Sequence, residues 1–87
     1  MSSDMHKDPE IIYPCNWDFT IIGSNENEMR AAIVEVVGYE VEHVSRGNTS
    51  SGGRYMSLRF SVLVLSEIAR NKLYTDLANH SSIRIVL

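Results

Sequence analysis

Cysteine, proline and long apolar runs are all scarce in this 87-residue sequence. The single cysteine, Cys15, excludes a disulfide scaffold. The fold must then be held by its core, and such cysteine usage points to a reducing, cytoplasmic setting. Two prolines and five glycines are too few for a collagen-like or low-complexity chain. The longest aliphatic run, Val62-Leu63-Val64-Leu65, falls far short of the ~18 residues that a membrane-spanning helix needs. The opening, Met1-Ser2-Ser3-Asp4-Met5-His6-Lys7-Asp8, has no apolar stretch behind a basic one and does not read as a secretory signal. One cysteine and three histidines (His6, His43 and His80) match no zinc-ligand spacing. These absences lead to an expectation of one small cytoplasmic domain without metal, cofactor or membrane. The 44% hydrophobic and 22% charged residues that are present sit near the globular norm.

The net charge of −3 conceals an uneven distribution. Residues 1–42 hold nine acids against two bases, and residues 43–87 hold six bases against two acids. Net acidity argues against general nucleic-acid binding, whose affinity comes largely from phosphate neutralisation. The asymmetry is expected to be used mainly in pairing within the fold, with head-to-tail contact between two copies as the alternative.

Residues 1–10 carry no periodicity and read as a frayed tail, so that the domain is expected over 11–87. The segment 11–15 is apolar but interrupted by Pro14, which suits an irregular lead-in. Residues 17–22 alternate, with Trp17, Phe19 and Ile21 on the buried side of a strand. Asn25, followed three places on by Glu28, resembles a capping box. Behind it Met29, Ala32, Ile33, Val36 and Val37 form one helical stripe, closed by Gly38 as a left-handed C-terminal residue. A second strand is expected over 39–46, with Tyr39, Val41 and His43 inward and Glu40, Glu42 and Val44 outward. Residues 47–53, rich in glycine, serine and threonine, predict a mobile loop. The longest strand is expected over 54–65, with Met56, Leu58, Phe60, Val62 and Val64 in one register. Ser66 caps a second helix whose apolar residues are Ile68, Ala69, Leu73 and Leu77. Asn79-His80-Ser81-Ser82 ends it, with His80 as a cap or dipole partner. A last strand over 83–87 would face Ile83, Ile85 and Leu87 inward.

The order β-α-β-β-α-β predicts an α+β, ferredoxin-like sandwich: a four-stranded antiparallel sheet with two helices on one face. Right-handed crossovers put the first and third strands in the middle. The open face of the sheet would then display Asp18, Thr20, Ile22, Glu40, Glu42, Val44, Tyr55, Ser57, Arg59, Ser61, Leu63, Arg84 and Val86. Of these, Asp18 and Arg59 are expected to pair across the central strands.

Candidate chemistry is sparse. Nucleophilic catalysis needs a thiol or hydroxyl beside a base, and no spacing brings Cys15 to His43 or His80. Cys15 is read as a small apolar packing residue, and the chain as no enzyme. Arg46 and Arg54 bracket the loop, and their guanidinium forks suit an anion, although the phosphate-loop ending Gly-Lys-Ser/Thr is missing. Gly23 and Asn25, in the turn after the first strand, would allow a ligand close backbone approach. Base stacking on an RNA-binding sheet needs exposed aromatics, and only Tyr55 qualifies.

Several short segments resemble the YbeD-like family of small bacterial proteins. They are Tyr13-Pro14-Cys15, Trp17-Asp18-Phe19, Ile22-Gly23, Gly53-Arg54-Tyr55-Met56-Ser57-Leu58, Tyr74-Thr75-Asp76-Leu77 and Val86-Leu87. The resemblance spans residues 11–87. It implies a sandwich similar to the ACT domains that bind small regulatory molecules, and a bacterial cytoplasmic origin. It supplies no catalytic or ligand residue, and Thr20 stands where a basic residue is common in relatives. The expectation is a non-catalytic regulatory or interaction module that binds a small ligand or a protein. Its weakly marked site is Gly23, Asn25, Arg54, Tyr55 and Arg59, with a homodimer forming through the open sheet face. The runner-up readings are an RNA-binding sheet and a small enzyme using Cys15.

Overall fold

A computed structural model describes residues 11–47 and 53–87. The elements follow the expected order: β1 (Cys15–Gly23), α1 (Glu26–Val37), β2 (Val44–Arg46), β3 (Met56–Val64), α2 (Glu67–Ala78) and β4 (Ile85–Val86). They form one antiparallel sheet in the order β2-β3-β1-β4, an α+β, ferredoxin-like arrangement. The frayed tail and most of the mobile loop foreseen from the sequence, residues 1–10 and 48–52, lie outside the described residues.

β1 and β3 pair along nine residues each, from Cys15↔Val64 to Gly23↔Met56. Residues directly opposite in an antiparallel ladder point to the same face. The register therefore sets Phe19 beside Phe60 and Ile21 beside Leu58, all fully buried. The two phenylalanine rings stack with centroids 5.6 Å apart. Met29, Ala32 and Ile33 of α1 and Leu77 of α2 close the core from the helix side.

Both helices start and stop by side-chain chemistry visible in the sequence. The Asn25 side-chain oxygen accepts from the Glu28 N–H at 2.9 Å, and Ser66 Oγ accepts from the Ala69 N–H at 3.1 Å. Gly38, at φ 95°, ends α1 in the left-handed region, where its N–H donates to the Val34 carbonyl. His80 does more than cap α2. Its Nε2 lies 2.9 Å from Glu35 Oε1 of α1, and its Nδ1 accepts from the Ser82 N–H, so it ties the two helices together.

The edges depart from expectation. The strand foreseen over 39–46 shrinks to Val44–Arg46, and residues 39–43 are irregular. Val44 lies opposite Phe60 and packs against the core, so it faces inward and not onto the open face. A one-residue change in register turns every side chain over, and the irregular stretch before Val44 supplies that change. At the other edge Val86 lies opposite Ile21 and is 7% exposed, whereas Ile85 lies opposite Ile22 and is 46% exposed. Ile85 and Leu87 therefore belong to the open face, and Val86 to the core. Ile83 is also buried, so one extra residue interrupts the alternation between it and Val86. Arg84 N–H donates to the Ile22 carbonyl at this point. In α2, Ile68 is 81% exposed and leaves the apolar stripe to Ala69, Leu73 and Leu77. Asp18 lies opposite Ser61 and accepts its hydroxyl hydrogen bond, while Arg59 lies opposite Thr20. The expected Asp18–Arg59 pair is therefore not formed.

Two outcomes test this packing. Phe60→Ala removes half of the stacked pair and is expected to cost about 3–5 kcal/mol in chemical denaturation. At the edge, Val86→Asp should unfold most of the chain, because it buries an unpaired charge. Ile85→Asp should stay within about 0.5 kcal/mol of the parent. The reverse ranking would restore the simple alternation.

Candidate functional site

The turn that leaves β1 and the turn that enters β4 meet at one end of the sheet. Between them opens a crevice of about 380 Å³ lined by Gly23, Ser24, Arg54, Tyr55, Ser81, Ser82, Ile83 and Arg84. The topology explains the meeting: β1 runs towards this end, β3 starts from it, and α2 returns the chain to it before β4. The lining holds two guanidinium groups and three serines and no acid. Arg84 rests over the Tyr55 ring, its guanidinium carbon 5.1 Å from the ring centroid, inside the ~6 Å reach of a cation–π contact.

Of the five residues marked in the sequence, the structure brings three together here: Gly23, Arg54 and Tyr55. Asn25 stands at the α1 N-terminus, where its side chain caps the helix. Arg59 lines a separate depression of about 490 Å³ on the sheet face with Asn16, Glu42, His43, Ser45 and Ser61. Arg46, the other bracket of the loop, pairs with Glu26 of α1 at 3.4 Å. Ser81, Ser82 and Arg84 were missed as site residues, because nothing local marks them, whereas Ser24 stands in the marked turn beside Gly23. The signal available was topological: the serine pair and Arg84 lead into the strand that must lie beside the exit of β1.

Gly23 has a packing reason that involves no ligand. A Cβ there would sit 2.8 Å from the Ser82 carbonyl oxygen and 2.9 Å from Met29 Sδ. The Tyr55 ring, with Arg84 over it, has one face already taken against a stacking base. Cys15 is half-buried against the core at the opposite end of β1. His80 and His43 are engaged with Glu35 and Glu42, the latter at 3.9 Å in solvent. Among the described residues no three of His, Cys, Asp and Glu cluster as metal ligands, and no helix is long and apolar enough to cross a membrane.

A family described as "Protein of unknown function (DUF493)" matches residues 8–87. The chain belongs to this DUF493 family. A UPF0250 protein of Hahella chejuensis is 28% identical over 91 residues, covering 100% of both chains. A UPF0250 protein of Shewanella sediminis is 31% identical over 77 residues, covering 86% of this chain and 88% of its own. The solution structure of HP0495 from Helicobacter pylori superposes with a TM-score of 0.83 at 28% identity, covering 100% of this chain and 94% of that one. The resemblance carried by the Tyr13-Pro14-Cys15 and Gly53–Leu58 segments thus reaches the right group of small bacterial proteins, and the fold is the ferredoxin-like α+β arrangement expected from the order of elements.

The close approach at Gly23 makes a direct expectation for this DUF493 chain. Gly23→Ala must displace either the Ser82 backbone or the Met29 side chain, and should lower stability by about 1–3 kcal/mol. A parent-like thermal melt would show that Gly23 is kept for another reason.

Proposed function

We propose that the protein is a non-catalytic, ACT-like binding module of the cytoplasm. Its contact surface is the open sheet face together with the crevice at the β1 exit, and its partner is anionic. One observation carries this reading. On the helix side every described arginine and lysine has a carboxylate partner: Arg30 and Arg46 with Glu26, Arg70 with Glu67, and Lys72 with Asp76. Arg54, Arg59 and Arg84 have none among the described residues, and all three stand on the sheet face or in the crevice. Fixed positive charge left uncompensated on one surface of a net-acidic chain favours a negative partner and speeds its encounter. Non-catalytic action is supported by the half-buried position of Cys15, which packs against the core at the end of β1 opposite the crevice.

The test is to map backbone amide shifts of the full chain on adding a hexaglutamate peptide at fixed ionic strength. The reading expects shifts confined to Thr20, Ser57, Arg59 and Ser61 and to the crevice, and their loss in Arg59→Gln combined with Arg54→Gln and Arg84→Gln. Shifts centred on α1 or α2, or none at millimolar peptide, would overturn it. Light scattering on the same samples reads whether the exposed corner of Ile22, Ile85 and Leu87 also takes a second copy.

A further inference from the structure

The crevice has features that the wider sheet face lacks, and they narrow what it accepts. Its lining carries two positive charges and no negative one, although the chain as a whole is at −3. The sheet-face depression around Arg59, by contrast, contains Glu42 beside its single arginine. Arg84 lies over the Tyr55 ring, a contact that a guanidinium makes through its face and not through its N–H donors. Pairs of guanidinium forks match the oxygen geometry of phosphate and carboxylate, and hydroxyls satisfy the remaining lone pairs. Ser24, Ser81 and Ser82 supply such hydroxyls on two sides of the crevice. A volume of about 380 Å³ suits a small molecule and is too small for a folded partner.

We propose that this crevice is a site for a small dianion, a phosphate group or a pair of carboxylates, held between Arg54 and Arg84. The inference rests on the binding-module reading and makes it specific: the ligand is a metabolite-sized dianion and not an acidic protein surface. Its position also suggests a readout. The same turn that contributes Ser81 and Ser82 contains His80, which joins α2 to Glu35 of α1. A ligand drawing Ser82 towards the arginines acts on the contact between the helices.

The experiment titrates the full chain with inorganic phosphate and, separately, with succinate. Acetate and chloride at matched ionic strength are the controls, followed by amide shifts of Gly23, Ser24, Ser81 and Ser82. The expected result is saturable shifts with a Kd of about 1 mM or below for at least one dianion. Saturation by phosphate alone or by succinate alone tells which dianion the forks fit. Arg54→Gln and Arg84→Gln should each weaken binding by about 10-fold, the equivalent of one charge-assisted hydrogen bond. Arg84→Lys, which keeps the charge and loses the fork, should weaken it as well, and Lys72→Gln, on α2, should leave it unchanged. Shifts that rise linearly and equally with chloride, or that survive both arginine-to-glutamine changes, would overturn the proposal. If the crevice stays silent while hexaglutamate still moves the amides around Arg59, the dianion site fails and the wider reading stands. If neither probe acts, both fail.

Discussion

The stacked Phe19 and Phe60 rings, set side by side by the β1–β3 register, are the contact on which the rest of the sandwich depends. Two nine-residue strands in full register bury one face and fix which residues remain on the other. Every later element attaches to that pair. Val44 reaches the core only because it lies opposite Phe60, and Val86 only because it lies opposite Ile21. The crevice inherits its geometry in the same way, since Gly23 and Met56 close the ladder at the end where Arg54 and Tyr55 enter. A shift of one residue between the central strands would turn one of the two rings out to the open face and scatter the site.

Charge is organised by the same division into two faces. The acids gathered early in the chain are partly answered from the later half: Glu26 takes Arg46 from β2 as well as Arg30 from its own helix, and Glu35 takes His80. Internal pairing is therefore real but incomplete: it leaves Arg54, Arg59 and Arg84 on the sheet side, and also Asp18, Glu28 and Glu40, without an ion-pair partner among the described residues. Exposed ion pairs of this kind contribute little stability. Their stronger effect is on the surface potential, because they neutralise the bases of the helix side and leave the sheet-side arginines without a paired carboxylate.

The sequence made the central strands and both helix starts readable because each has its own periodic or capping chemistry. Alternation over Trp17 to Ile21 and over Met56 to Val64 leaves one choice of buried face, and Asn25 and Ser66 satisfy N–H groups wherever the helix is to begin. The edges were harder for a physical reason. β2 and β4 are three and two residues long, too short for alternation to fix their register. Val44 and Ile85 were assigned by continuing a pattern that irregular backbone had already reset. Ile68 fits a helical stripe by spacing but stands in the first turn of α2 and stays exposed. Of the candidate site, Gly23, Arg54 and Tyr55 were legible and their companions were not. Arg84, Ser81 and Ser82 come from the turn before β4, more than fifty residues beyond Gly23, and only the completed topology brings them together.

The short reach of β4 has a consequence along β1 itself. Thr20 exchanges backbone hydrogen bonds with Leu87, and Ile22 accepts one from Arg84, so the even-numbered residues of β1 turn their peptide groups towards that edge. Beyond Thr20 no described residue pairs with β1 on this flank, and the peptide groups of Asn16 and Asp18 have no backbone partner there among the described residues. Those of Trp17 and Phe19, one place along, point into the ladder with β3. Amide protons in this half of the strand should therefore exchange with solvent in alternation, fast at Asn16 and Asp18 and slow at Trp17 and Phe19. A single strand would then report local opening at one residue and global unfolding at the next.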